Sequence, residues 1–239
     1  MPIDIGGYIA NQKTTAGLAQ QGIVTRGLIL NLDAGRVDSY NGGYYTSWLD
    51  VSGQNNNGTL TNYPVYTSST PGYFTFDGIN DYVNNSSFSG HQTSAGTISL
   101  WAYPTTTSGE FYAVAAGGTT TYGASRAIRL WNGFWGAVNY GSSNEDFNNI
   151  VAADANTWVN IVYVWNGTNI TYYKNAVSSS GTRSGMVTPT GTTLNIGTAA
   201  WSLSAFWPGR ISNVYIYNRA LTAQEVAQNF NSTRSRFGV

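Results

Sequence analysis

The chain has 239 residues with eleven basic and eleven acidic side chains, so a formal net charge of zero gives no electrostatic basis for holding nucleic acid. Charged residues make up only 9% and cysteine is absent, which excludes disulfides and thiolate metal sites and leaves hydroxyls and amides to keep the surface wet. No apolar stretch approaches the roughly 20 residues that cross a bilayer, so a membrane partner is not expected. Thr, Ser, Asn, Gly, Tyr and Trp dominate, a composition that favours strands joined by tight turns.

Residues 1–26 are small, polar and weakly patterned, without the basic and apolar regions of a signal peptide. They read as an arm before the domain. It is either a loose terminus or an assembly element that uses Ile3, Ile5, Tyr8 and Ile9 to dock on another subunit and build a homo-oligomer. The domain proper runs from 27 to 239. Its first strand is GLILNLDA (27–34), followed by the segments YYTSWLDVSGQNNNGTL (44–60) and YFTFDGINDYVNN (73–85). GTISLWAYP (96–104) alternates, with Ile98, Leu100 and Ala102 on one face and Thr97, Ser99, Trp101 and Tyr103 on the other, until Pro104 stops it. EFYAVAAGG (110–118) and AIRLWNGFWGAVNY (127–140) come next. TWVNIVYVWNGTNITYYKNAVSS (157–179) reads as a hairpin with Asn166-Gly167 at its turn. TTLNIGTA (192–199) and GRISNVYIYNRAL (209–221) bring the strands to at least nine, the pattern of a two-sheet sandwich. One helix is expected near the C-terminus. Thr222 caps it, Glu225 completes a capping box, and Val226 and Phe230 share a face.

FDGINDYV, TISLWAYP, NTWVNIVYVWNGTNITYYKNA, LNIGTA and FWPGRISNVYIYNRALTAQEV occur in an order that resembles the laminin-G-like, concanavalin A-like lectin/glucanase superfamily, from about Gly27 to Asn231. The resemblance implies an all-β jelly-roll sandwich of two antiparallel sheets with one short C-terminal helix. GLILNLDAG joined to SWLDVSGQNNNGTL is similar to the lectin-like domains of tailed-phage structural proteins. That similarity implies a non-enzymatic virion protein, placed at the head, tail or fibre, with other virion subunits as partners through the arm. The alternative is a carbohydrate-binding or adhesion module of a bacterial surface or secreted protein, with cell-surface glycans as partners. A glycoside hydrolase or lyase is the weaker alternative.

Three sets of residues carry chemistry. The superfamily often holds calcium near the FDGINDYV turn, which assigns Asp50, Asn80 and Asp81 as metal ligands. Ser212 and Asn213 stand where the family commonly has Asp and Glu, which weakens that site. Asp and Asn in such a segment also shape turns by binding backbone N–H groups, and that reading is preferred. No cofactor is required and calcium is the one the resemblance allows. Catalysis is not expected. Glu110, Glu145 and Glu225 are the only glutamates, and none has the spacing of a paired acid and base. His91 reads as a solvated loop residue. Finally, Trp131, Asn132, Phe134, Trp135, Tyr140, Trp201 and Trp207 form two aromatic segments that could stack on sugars. Core burial competes for most of the tryptophans.

Overall fold

The structure is a computed structural model that describes residues 22–43, 46–118, 125–140, 144–182 and 188–239, with backbone alone at 140, 144–149 and 180–182. Ile3, Ile5, Tyr8 and Ile9 lie outside the described residues.

Sixteen strands and one helix are found among the described residues. The strands are β1 (Leu28–Asp33), β2 (Ser47–Trp48), β3 (Gly58–Thr61), β4 (Val65–Thr67), β5 (Tyr73–Asp77), β6 (Tyr82–Asn85), β7 (Ala95–Pro104) and β8 (Glu110–Gly117). They continue with β9 (Ser125–Trp131), β10 (Phe134–Tyr140), β11 (Asn144–Ala152), β12 (Val159–Asn166), β13 (Asn169–Lys174), β14 (Val177–Thr182), β15 (Thr193–Ile196) and β16 (Pro208–Tyr217). Helix α1 (Ala223–Thr233) and a 3-10 turn (Arg234–Phe237) close the chain.

Two antiparallel sheets stack face to face. The first runs β14-β13-β12-β7-β16-β5-β4, with β1 also paired to β16. The second runs β11-β10-β9-β8-β15-β6-β3-β2. The expected jelly-roll sandwich with its single short helix is therefore what the chain builds.

The alternation of each strand decides which residues meet between the sheets. Leu30, Ile98, Leu100, Ile161, Tyr163, Val214 and Ile216 of the first sheet pack on Val114, Ile128, Leu130, Trp135, Leu194 and Ile196 of the second. The face of the first sheet that turns away from this core is not wet either. Helix α1 and the 3-10 turn lie over it, and Trp101 stacks on Phe230 and Phe237. Leu221 and Val226 pack with Val162, Val164, Tyr215 and Tyr217, joined by Val24. This is why Trp101 is fully buried although it points to the opposite side from Ile98 and Leu100. The helix begins as the sequence dictates: Thr222 accepts from the Glu225 N–H and the Glu225 carboxylate accepts from the Thr222 N–H.

Two expectations are corrected. Asn166 pairs with Asn169, so the β12–β13 turn centres on Gly167-Thr168 and not on Asn166-Gly167. Gly167 carries the positive φ of 59°, as a glycine-first two-residue hairpin requires. His91 is not solvated. It is fully buried and stacked on Phe88 at 5.6 Å. Burial first, and the Arg126 charge second, hold its imidazole down to a pKa of about 4.

Candidate functional site

The outer face of the second sheet differs from that of the first. No helix covers it. Its middle carries small residues, Ala115, Ala127 and Val138, packed under Ala199 and Ala200 of the loop after β15. Beyond that loop the face opens, and the register of three adjacent strands decides what is presented there. Glu110 of β8 pairs with Trp131 of β9, and Trp131 pairs with Phe134 of β10. Directly opposed residues in a ladder point to the same side of the sheet. The three side chains therefore form one row across three strands. Trp131 is 36% exposed, Phe134 38%, and the Glu110 side chain 41%.

The next row inward supports them. Tyr112 pairs with Arg129. The Arg129 guanidinium donates to Glu110 Oε1 at 2.7 Å and the Tyr112 hydroxyl donates to the same oxygen at 2.7 Å. The Arg129 guanidinium carbon also lies 5.2 Å from the Trp131 ring centre, a cation–π distance. Trp201 comes in from the loop after β15 and meets Tyr112 edge to face at 5.0 Å. A connected set thus runs Phe134, Trp131, Arg129, Glu110, Tyr112, Trp201.

The hairpin tip that holds Trp131 and Phe134 is fixed by local chemistry. Asn132 and Gly133 both take positive φ, 46° and 90°, the two-residue turn that Asn-Gly favours. Their N–H groups donate to the carbonyls of Gly109 and Thr107 at 2.8 and 2.7 Å, and the Gly133 carbonyl accepts from Ala153. The tip is tied to chain on both sides before any ligand arrives.

The expected aromatic residues separate into two groups. Trp131, Asn132, Phe134 and Trp201 converge on this face. Trp135 and Trp207 do not: both are fully buried, with ring centres 5.6 Å apart inside the sandwich. Trp135 alternates with Phe134 and so faces inward. The Tyr140 side chain lies outside the described residues. Glu110, Tyr112 and Arg129 were not anticipated as site residues. Their signal was the shared i, i+2 spacing of Glu110 with Tyr112 and of Arg129 with Trp131.

Asp50, Asn80 and Asp81 each take part in hydrogen bonds within the chain. Asp50 Oδ1 accepts from the Asn31 and Ser52 N–H groups at 2.8 and 2.9 Å. Its Oδ2 accepts from the Ser52 hydroxyl at 2.8 Å and the Asn56 N–H at 2.9 Å. These four donors take up the roughly four acceptor positions of a carboxylate. Asp77 Oδ1 accepts from the N–H groups of Ile79, Asn80 and Asp81. Burial raises the Asp81 carboxyl above the usual range, and the Asp77 charge adds to it. Asn80 is exposed, and its carbonyl accepts from the Asn62 amide. Among the described residues no three His, Asp or Glu gather where they could share a cation. The donor set of Asp50 does not fit a calcium cage in this arrangement.

The described glutamates are held within the fold. Glu110 is engaged by Arg129 and Tyr112, Glu225 by Arg219 and the helix start, and the Glu145 side chain lies outside the described residues. A glycosidase needs two carboxyl groups facing each other across the scissile bond, whereas Glu110 and Glu225 are each committed to their own ion pair.

With this geometry in place, the family follows. The profile of the concanavalin A-like lectin/glucanases superfamily matches residues 77–227. The chain belongs to that superfamily, as a lectin-type jelly-roll domain. A search of curated proteins found no match. Among solved structures, domain 4 of AbnA, an extracellular arabinanase from Geobacillus stearothermophilus in complex with arabinotriose, superposes with a TM-score of 0.69 at 17% identity, over 84% of this chain and 97% of that one. The binding domain of botulinum neurotoxin DC in complex with rat synaptotagmin II superposes with a TM-score of 0.68 at 15% identity, over 88% of this chain and 52% of that one. A botulinum neurotoxin type C structure, described by its dependence on two ganglioside molecules for cell entry, gives a TM-score of 0.66 at 14% identity, over 87% of this chain and 52% of that one. The chain spans about half the length of the neurotoxin structures it matches. At these identities the likeness is one of fold.

The tailed-phage expectation is corrected by these findings. The fold it rested on belongs equally to toxin binding domains and to a domain of an extracellular polysaccharide-degrading enzyme, and no virion protein is among these relatives. The segments GLILNLDAG and SWLDVSGQNNNGTL serve the fold itself, because Asp50 and Asn56 fasten the 50–57 loop to β1.

Proposed function

We propose that the chain is a non-enzymatic carbohydrate-binding module of a bacterial surface or secreted protein, acting outside the cell on surface glycans. One observation carries the reading: Glu110, Trp131 and Phe134 stand side by side on an open sheet face, half-exposed, on a pre-fixed hairpin. Exposed rings accept the C–H faces of sugars, and a carboxylate beside them accepts hydroxyl donors. Buried Arg129 and Tyr112 hold the carboxylate in place, so little ordering remains to be done on binding. The arabinotriose complex described for one structural relative supports the same direction.

The test is a glycan array followed by calorimetry on wild type, Trp131→Ala and Phe134→Ala. Wild type retains at least one glycan, and both variants lose it while their circular-dichroism spectra are unchanged. Retention that survives both substitutions, or no retention by wild type, overturns the proposal.

A further inference from the structure

We infer that the Glu110–Trp131–Phe134 face selects uncharged sugars and rejects glycans that carry a carboxylate, such as sialylated or uronic-acid chains. The inference rests on the reading of this face as a glycan site.

It comes from how the two ends of one ion pair are disposed. Arg129 and Glu110 meet at 2.7 Å, but the Arg129 side chain is 4% exposed and that of Glu110 is 41% exposed. The cation lies beneath and the anion faces solvent. Glu110 Oε1 takes both supporting bonds, from Arg129 and Tyr112, and no bond reaches Oε2 among the described residues. The group offered to a ligand is thus an anionic acceptor, suited to hydroxyl donors.

The rest of the sheet offers no cation to reverse that preference. Its eight strands contain two basic residues, Arg126 and Arg129. Arg126 points the other way, into the sandwich. It is 2% exposed, its guanidinium lies 4.3 Å from the Trp165 ring centre, and it donates to the carbonyls of His91 and Thr93. A sugar carboxylate seated on Trp131 would meet the solvent-facing Glu110 charge, while the Arg129 guanidinium, 5.2 Å from that ring, is only 4% exposed and already paired with Glu110. Like charges brought together at a binding face weaken association and exclude partners of that charge.

The experiment measures affinity for matched probes. Neutral arabino-, xylo-, cello- and galacto-oligosaccharides are compared with oligogalacturonate, and lactose with 3′-sialyllactose. Each is titrated into wild type and Glu110→Gln, with Trp131→Ala as the control for the site itself. Wild type is expected to bind a neutral probe at least about tenfold more tightly than its carboxylated counterpart. Glu110→Gln, which keeps the shape and removes the carboxylate charge from the face, narrows that ratio. Equal or tighter binding of the carboxylated probe by wild type overturns the inference while leaving the glycan site standing, provided Trp131→Ala abolishes it. A ratio unchanged in Glu110→Gln also overturns it. If no probe binds, or Trp131→Ala binds like wild type, the parent reading fails and the inference falls with it.

Discussion

Trp101 and Phe237 stack face to face, with ring centres 3.9 Å apart and planes within 6° of parallel. The contact joins the middle of β7 to the last turn of the chain. Phe230 also stacks on Trp101, at 5.7 Å, and the Trp101 indole N–H donates to the Thr233 hydroxyl at 2.9 Å. The C-terminal segment is therefore the lid of a second, smaller core. Phe237→Ala removes one wall of the tryptophan slot. Phe-to-Ala changes in cores cost about 3–5 kcal/mol, and the rim position of Phe237 places it near the lower end. Urea unfolding followed by tryptophan fluorescence measures this, and a loss below about 1 kcal/mol would show that the lid does not contribute as described.

The same lid is pinned by charge. Both Arg236 terminal nitrogens donate to the two Asp33 oxygens at 2.8 Å, and one also donates to the Pro71 carbonyl. The Asp33 side chain is 3% exposed. Removing the partner of a buried ion costs about 3–5 kcal/mol, because the remaining charge has lost its compensation. Arg236→Ala is expected toward the lower end, since the Gly35 N–H still donates to Asp33 and so does the Tyr215 hydroxyl. Arg236→Lys should recover less than half of the loss, because an ammonium cannot reproduce the two-pronged contact. A double-mutant cycle with Asp33→Asn reads the coupling directly. A coupling near zero would assign the cost to packing instead.

Most of the fold is written in local alternation, and the part that is not has a physical cause. Ile98, Leu100 and Ala102 declare their side of β7 by period two, and the structure keeps them together. Two-residue β2 and three-residue β4 are too short to show any period, so they escape a pattern reading. The α1 start is carried entirely by Thr222 and Glu225, three residues apart, and is legible for that reason. Solvation is what sequence cannot show. His91 lies in a loop-like run of polar residues, yet it is buried because Phe88 stacks on it and Arg126 reaches its carbonyl from another strand. Trp135 and Trp131 look alike in AIRLWNGFWGAVNY. One enters the core and the other stays at the surface because the Asn132-Gly133 turn fixes their register. Glu110 meets Trp131 through cross-strand pairing over 21 residues of chain, which its i, i+2 spacing to Tyr112 does not reveal.

His91 gives a pH prediction whose sign is fixed. Its folded pKa is about 4, depressed first by burial and then by Arg126, whereas a free imidazole titrates near 6.5. Between those values the unfolded chain binds a proton that the folded chain refuses. Its contribution is present in full above about pH 6.5 and is lost as pH falls toward 4. A hydrogen bond to the Gly191 backbone acts in the opposite sense and is outweighed by burial. His91→Phe, which keeps a ring against Phe88, should hold stability at pH 7 within about 1.5 kcal/mol and flatten the slope between pH 6.5 and 4. Melting curves of the two proteins at half-unit pH steps provide the comparison. An identical acid slope would mean that other groups carry it.

Asp50 tests whether the 50–57 loop needs a metal. Its oxygens are filled by four protein donors, and one of them, the Asn31 N–H, belongs to the buried strand β1. A cation entering here would have to displace those bonds, since calcium takes six to eight oxygens and brings no donor in return. Millimolar calcium and EDTA should accordingly give the same melting temperature. Asp50→Ala should lower stability by about 1–3 kcal/mol in either condition, as expected when buried donors lose their acceptor. If calcium instead raises the melting temperature by several degrees, and Asp50→Ala or Asp81→Ala abolishes that rise, the carboxylates exchange their internal partners for the ion. The loop would then be a metal switch and not a fixed brace.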